Sequence, residues 1–264
     1  MKTVLKYPGA KNRIAKWIVN FIPEHDVYLE PFAGSLAVFF NKPRCHIETI
    51  NDLHGEVVNY FKMLRDNPDS LIDCIQLTPY SREEYDNSYI HNDTDSDVER
   101  ARKFCVRCWQ GFGCANLYHN GFKSGQQTVS PNPSKAWNKL PNTLKLASER
   151  LKGVQIECLD ALELIRRYNT EDVFIYCDPP YVLSARKSYL YKYEMTDKQH
   201  VELLELLKQH KGKVLISGYN NDLYNSILVG WHKEYKDTTA EQGLKRTECL
   251  WMNYEMQMIL NLGD

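Results

Sequence analysis

The stretch Val173-Phe174-Ile175-Tyr176-Cys177-Asp178-Pro179-Pro180-Tyr181 sets the fold class of this chain. Its first five residues form an unbroken apolar run with β-branched and aromatic side chains, the pattern of a strand buried on both faces of a parallel sheet. The next four end it abruptly. Two successive prolines fix φ and remove two backbone N–H groups, so pairing cannot continue and their carbonyls are left as acceptors. In open α/β sheets, ligands bind beyond the carboxyl ends of the strands. An acid, outward carbonyls and a tyrosine at such a place suit an amino group carried on an aromatic ring.

Outward from this stretch, both flanks continue the α/β pattern. Toward the amino end, residues 11–21 read as a short amphipathic helix opened after Pro8-Gly9. Residues 27–29 read as a strand ended by Glu30-Pro31-Phe32-Ala33-Gly34, and residues 35–41 as a helix stopped at Pro43. A second strand over 46–50 carries Asn51-Asp52 at its carboxyl end, and 53–64 return to helical spacing. This strand–turn–helix–strand–acid order opens a doubly wound sheet. Toward the carboxyl end, a helix over 196–210, a strand over 213–217 and a short helix over 221–228 follow, then a closing antiparallel hairpin of 248–254 with 255–260. A further strand over 154–159 precedes the opening stretch.

Residues 61–150 interrupt the pattern. Residues 67–97 are rich in Asp, Asn, Ser and Tyr, 97–110 look helical, 111–138 are long and polar, and 141–151 form another helix. Structureless segments of this length in a compact protein are usually functional or disordered. The expected organisation is an α/β, Rossmann-like sheet from residues 1–60 and 151–264, carrying a mainly helical insert at 61–150.

The composition bounds the class. With 264 residues, 43% hydrophobic and 25% charged, the chain can bury a substantial core. No apolar run approaches the roughly 20 residues that cross a bilayer. Pro8 arrives before a signal-peptide core could form, which predicts a cytoplasmic location away from membranes. Eight scattered cysteines read as reduced thiols. A formal net charge of -1 excludes a purely electrostatic nucleic-acid binder, so any such contact relies on local charge.

The chemistry of the tetrapeptide Asp178-Pro179-Pro180-Tyr181 narrows the reading. An exocyclic amine on adenine is a poor nucleophile because its lone pair is delocalised into the ring. Acceptors at Asp178 and the Pro179 carbonyl would favour a pyramidal nitrogen able to attack a sulfonium methyl, which is positioning plus electrostatic stabilisation. A proline-bent strand end with an N-capping acid is the plain alternative. The tetrapeptide matches the D-P-P-Y motif of the Dam-like, D12-class adenine-specific DNA methyltransferases. Tyr7-Pro8-Gly9-Ala10-Lys11 resembles their Y/W-x-G-x-K segment, and Glu30-Pro31-Phe32-Ala33-Gly34-Ser35 resembles their methionine-binding loop. The order of cofactor loop, recognition insert and catalytic tetrapeptide is that family's α arrangement.

The resemblance implies S-adenosylmethionine as cofactor and double-stranded DNA as substrate. It places Tyr7, Lys11, Phe32, Gly34, Ser35, Asp52, Asp160 and Asp178 around the cofactor. Gly34 would admit close backbone approach, and a helix opening near Ser35 would offer N–H groups to a carboxylate. Lys11 would pair with that carboxylate, or be a solvated surface lysine. Asp52 would take ribose hydroxyls and Asp160 the cofactor's adenine amine; each is equally placed to cap a helix.

Duplex substrates require the target base to be flipped out, with an aromatic ring such as Tyr181 to receive it. Arg107, Asn116, Tyr118, Asn120 and Lys123 in the insert are candidates for DNA contact, as are Arg186, Lys187, Lys245 and Arg246, which could equally be solvated. Tyr118-His119-Asn120-Gly121-Phe122 keeps only part of the family's N-x-x-G-x-F pattern. Cys105 and Cys108 with Cys114 and His119 could form a zinc site, but i, i+3 cysteines on a helix read better as a buried pair, and no metal is expected. Rival readings are an RNA adenine methyltransferase, a silent DNA-binding module, and an amine methyltransferase for small molecules or proteins. The chain is expected to act as a monomer, with a dimer as the alternative and a cognate restriction endonuclease as a candidate partner.

Overall fold

Seven strands form one sheet in the order β3-β2-β1-β4-β5-β7-β6. They are β1 (Val27–Glu30), β2 (Ile47–Asn51), β3 (Gln155–Glu157), β4 (Val173–Cys177), β5 (Lys213–Tyr219), β6 (His232–Thr239) and β7 (Lys245–Met252). The first five are parallel; β7 pairs antiparallel with both β5 and β6. The structure is a computed structural model and describes residues 1–113, 118–125, 132–183, 190–239 and 245–255. From β1 the chain winds outward through β2 to β3, then returns to β4 and winds the other way. The strand order therefore reverses between β1 and β4, and a crevice opens at their carboxyl ends.

The strands β1, β4, β5 and β7 divide their side chains between two cores, because successive side chains point to opposite faces. Along β4, Phe174 and Tyr176 join one buried cluster, and Val173, Ile175 and Cys177 join the other. All five are buried, which is why the run is apolar without alternation. The second face is covered by α8 (Ala161–Arg167), α9 (Asp197–Lys208) and α10 (Asp222–Ile227). The first face is covered by α1 (Ala15–Val19), the 33–40 segment and α2 (Gly55–Asp66). Also on that side are α3 (Pro68–Leu77), α5 (Asp97–Gln110), α6 (Pro133–Asn138) and α7 (Leu140–Leu151), with α4 (Arg82–Asn87) packed on α5. Phe104 of α5 and Leu144 of α7 share one hydrophobic cluster with Tyr28 of β1. The expected boundary at residue 61 falls inside α2.

Local signals account for several elements. The Ser96 side chain accepts from the Glu99 backbone N–H and starts α5, while Thr196 and Gln199 form a capping box at α9. Pro68 at the start of α3 and the Ser81 cap of α4 place two helices in the polar 67–97 stretch. Other expectations are corrected. The helix over 11–21 is confined to α1, and 35–41 forms turns rather than a helix, with Leu36 in the left-handed region at φ 55°. The partner of β7 is β6, not residues 255–260, of which 256–260 lie outside the described residues. β6, His-Lys-Glu-Tyr-Lys-Asp-Thr-Thr, is absent from the expected strands, because an outer edge strand carries polar and charged side chains. No helix among the described residues is long and apolar enough to cross a membrane.

Candidate active site

The crevice at the strand reversal is a cleft with about 1020 Å³ of open space. The carboxyl ends of β1, β2 and β4 supply Glu30, Asp52 and Asp178, the loop after β3 supplies Asp160, and the amino-terminal segment supplies Tyr7 and Lys11. Phe32, Gly34, Ser35 and Pro180 also line it. The eight residues expected around a cofactor thus come from distant segments to line one concavity. Pro179 and Tyr181 adjoin Pro180 without lining the cleft themselves.

Lys11 occupies the centre of the charged network. Its Nζ donates to both carboxylate oxygens of Asp178 at 2.7 and 2.8 Å and to the Gly9 carbonyl at 3.0 Å, matching the three donors of an ammonium. The structure therefore gives Lys11 to Asp178, where the sequence reading paired it with a cofactor carboxylate or with solvent. Burial works against the lysine's charge, but Asp178 and then Glu248 outweigh it and hold its pKa above the ordinary value. Burial pushes Asp178 up, with Lys11, Ser217 and Tyr181 pulling the other way. Ser217 at the end of β5 donates to Asp178 at 3.0 Å. The Tyr181 hydroxyl donates to Glu248 of β7, its ring meets Tyr219 edge-on at 4.6 Å, and the Lys11 ammonium lies 4.7 Å from its ring centre.

The remaining acids have defined duties. Asp52 accepts from the Gly34 N–H at 2.9 Å and the His54 N–H at 2.8 Å, tying the loop after β1 to the start of α2. The cap position of α2 belongs to His54, so Asp52 is not that helix's cap. Burial raises the Asp52 pKa against those two backbone bonds. Asp160 caps α8 through Leu162 and Glu163, as expected, and also lines the cleft. Glu30 is buried at the end of β1, accepts from the Tyr28 hydroxyl at 2.6 Å, and is pushed up to about 8 by burial. Gly34 has φ +46°, and a Cβ there would sit 3.3 Å from the Tyr7 ring. Instead of a helix start at Ser35, a turn bonds the Leu36 N–H to the Ala33 carbonyl.

The candidate DNA contacts divide. Arg107 is 5% exposed, with its guanidinium on the Ser88 carbonyl and the Glu56 carboxylate, so the expectation that it faces base edges is corrected. An arginine interior to the helices is held there by charge pairing. Tyr118 is exposed, Asn120 is half-buried with its carbonyl bonded by Tyr85, and Lys123 is half-buried and pairs with the Gln110 carbonyl. Gly111 and Phe122 bridge antiparallel, which leaves Phe112 exposed beside them. Arg246 lies 5.6 Å over the Tyr219 ring, which itself meets Tyr181. Asn116, Arg186, Lys187 and the Lys245 side chain lie outside the described residues. Cys105 and Cys108 are buried on α5, and Cys105 meets the Tyr60 hydroxyl at 3.8 Å.

Ser217, Glu248, Tyr191 and Tyr193 escaped the sequence reading. Ser217 was accessible through the strand-end rule applied to β5. Glu248 is a lone acid opening the apolar run Cys249-Leu250-Trp251-Met252, a position that asks for a buried partner. Tyr191 and Tyr193 face the cleft from the segment after the tetrapeptide, and nothing in their spacing announces it.

The family model described as D12 class N6 adenine-specific DNA methyltransferase matches residues 7–241. The chain is 28% identical to "Type II methyltransferase M.MjaIII" of Methanocaldococcus jannaschii, over 96% of this chain and 99% of that one. It is 27% identical to "Type II methyltransferase M1.LlaDCHI" of Lactococcus lactis subsp. cremoris, over 96% of each. A "DNA adenine methylase" of Vibrio cholerae is 24% identical over 68% of this chain and 65% of its own length. The matched span runs from the tyrosine that walls the cleft, through the Asp178 tetrapeptide, to the sheet's closing hairpin, and the chain belongs to the D12 class of N6 adenine-specific DNA methyltransferases.

Proposed function

We propose that the chain moves a methyl group from S-adenosylmethionine to the N6 amine of an adenine flipped out of a specific duplex DNA sequence. The observation that carries this is the placement of Asp178: beyond the carboxyl end of β4, on the cleft, oriented by Lys11 and Ser217. S-adenosylmethionine would supply an electrophilic methyl on a sulfonium cation. The cleft fits that charge, because Asp52, Asp160 and Asp178 face it and Lys11, the lysine lining it among the described residues, is already neutralised by Asp178. Phe32 and Tyr7 would wall the cofactor, with Asp52 taking its ribose hydroxyls, Asp160 its adenine amine, and the Gly34–Ser35 backbone approaching its methionine end.

The chain's own work is orientation. Asp178 and the Pro179 carbonyl accept from the two N6 hydrogens, which draws the nitrogen lone pair out of conjugation. Lys11 and Ser217 hold the carboxylate in one direction, so little reorganisation is needed when charge develops on nitrogen. Tyr181 offers the ring beside the extruded base. Tyr118, Asn120, Lys123 and Arg246, with Asn116, Arg186, Lys187 and Lys245, are the proposed DNA contacts. The type II names of two relatives support a restriction–modification role with a cognate endonuclease.

The test is transfer of labelled methyl from S-adenosylmethionine to unmethylated duplex DNA, with matched RNA beside it, followed by nucleoside digestion. Label in N6-methyladenine from DNA alone is expected. Label only from RNA, or in another nucleoside, would overturn the proposal.

A further inference from the structure

Glu248 is 3% exposed, comes from β7 on the antiparallel side of the sheet, and is absent from the cleft lining. It does not touch the cofactor space. Its partners are the Tyr181 hydroxyl and, at 3.6 Å, the Lys11 ammonium. Lys11 therefore lies between two carboxylates, bonded to Asp178 and near Glu248. Two buried acids around one cation leave an excess negative charge, an arrangement that costs stability unless something offsets it. A hydrophobic residue at position 248 would pack in the apolar strand at lower cost.

The reaction gives that excess charge a use. When the N6–methyl bond forms and the sulfur–methyl bond breaks, nitrogen holds a positive charge and one proton too many. Asp178 is bonded to that nitrogen in the proposed reading, and its carboxylate can take the proton. Lys11 would then face a neutral acid and become a buried cation without a counter-charge, unless Glu248 supplies one.

We propose that Glu248 is a positioning residue that balances Lys11 while Asp178 receives the N6 proton. The inference rests on the methyl-transfer reading above. The charged and titratable groups around it are Lys11 from the amino-terminal segment, Glu30 from β1, Tyr176 from β4, and Tyr181 after β4. Among the described residues, Asp178, Tyr219 of β5, Arg246 of β7 and, beside Lys11, Tyr191 are the others. A negative charge at 248 raises the proton affinity of Asp178; removing it makes Asp178 a weaker base.

Glu248→Gln keeps the volume and an acceptor for the Tyr181 hydroxyl but removes the charge. Single-turnover methylation is expected to fall about tenfold or more, with S-adenosylmethionine and DNA affinities within about twofold of wild type. The acid limb of the rate–pH profile is expected to move to lower pH, because Asp178 ionises more readily without its negative neighbour. Glu248→Asp, which restores the charge, is expected to recover most of the rate. A wild-type rate in Glu248→Gln, a slowed rate with an unmoved acid limb, or a Glu248→Asp as slow as Glu248→Gln would each overturn the proposal. Should Glu248→Gln not fold, Glu248→Asn, smaller and likewise uncharged, is read instead: an acid limb below wild type supports the proposal, and an unmoved limb overturns it. Absence of N6-methyladenine with the wild-type enzyme would remove the methyl-transfer reading itself. A labelled wild type beside an unaffected Glu248→Gln would remove this inference alone.

Discussion

Lys11 and Asp178 stand 167 residues apart in the chain, yet the lysine ammonium lies 2.7 and 2.8 Å from the two carboxylate oxygens. The pair joins the segment before β1 to the end of β4 and orients the acid on the cleft. Asp178→Asn keeps the shape and loses the charge. Methyl transfer is expected to fall by about 10²-fold or more, the size of effect typical for a preorganised electrostatic group. Asp178→Ala additionally strands a buried cation and is expected to cost about 2 kcal/mol, less than a fully unpaired charge because Glu248 remains nearby. Label transfer and urea unfolding check the two effects separately; full activity in Asp178→Asn would remove the catalytic assignment.

Glu30 has a pH signature. Its folded pKa of about 8 stands above its unfolded value, so the protonated form is favoured in the folded protein. The stability this contributes is fully present below about pH 4.5 and is lost as pH rises toward 8. Glu30→Gln removes the dependence and leaves an acceptor for the Tyr28 hydroxyl. The variant is expected to gain on wild type between pH 5 and pH 8, by an amount on the order of 3 kcal/mol. Parallel stability–pH curves for the two proteins would contradict this.

Gly34 serves the loop through its backbone. An alanine there meets left-handed strain of about 1–2 kcal/mol and a Cβ only 3.3 Å from the Tyr7 ring. Relaxing either displaces the N–H that Asp52 accepts. Gly34→Ala is expected to weaken S-adenosylmethionine binding about tenfold while leaving DNA affinity close to wild type. Calorimetric titration of each ligand decides it, and an unchanged cofactor affinity would show that the loop tolerates the side chain.

Arg107 tests the distinction between reading bases and holding helices. Burial pushes Glu56 up, but His54 and Arg107 pull it down to about 2. Stability from that depressed pKa is present above about pH 4.5 and lost as pH falls through 2. Arg107→Ala is expected to lower stability at pH 7 by about 2 kcal/mol, discounted from a fully buried pair because Glu56 is partly exposed. The deficit should shrink in acid, and the methylated DNA sequence should not change. A relaxed target sequence with full stability would return Arg107 to the DNA.

Much of the site was legible because its chemistry is local in sequence. Asp178-Pro179-Pro180-Tyr181 follows an apolar run whose burial on both faces needs no alternation, and the structure places β4 over the same five residues. The loops at Gly34, Asp52 and Asp160 follow strands, so the strand-end rule and the family resemblance together point to the cleft they line. β6 was missed because an edge strand needs only one apolar face and this one carries Lys, Glu, Asp and Thr. The helix over 35–41 failed because Leu36 turns left-handed and the apolar run packs through turns instead.

The sequence by itself determined the doubly wound sheet, the Asp178 tetrapeptide at a strand end, and the acids that follow the neighbouring strands. Each follows from periodicity and backbone chemistry within a few residues. Only the tertiary structure decided the electrostatics. Lys11 belongs to Asp178, Glu248 reaches the same ammonium from the antiparallel hairpin, and Arg107 is an interior ion-pair partner. Charge pairing depends on distance and burial between segments far apart in the chain, and neither quantity is encoded in local pattern.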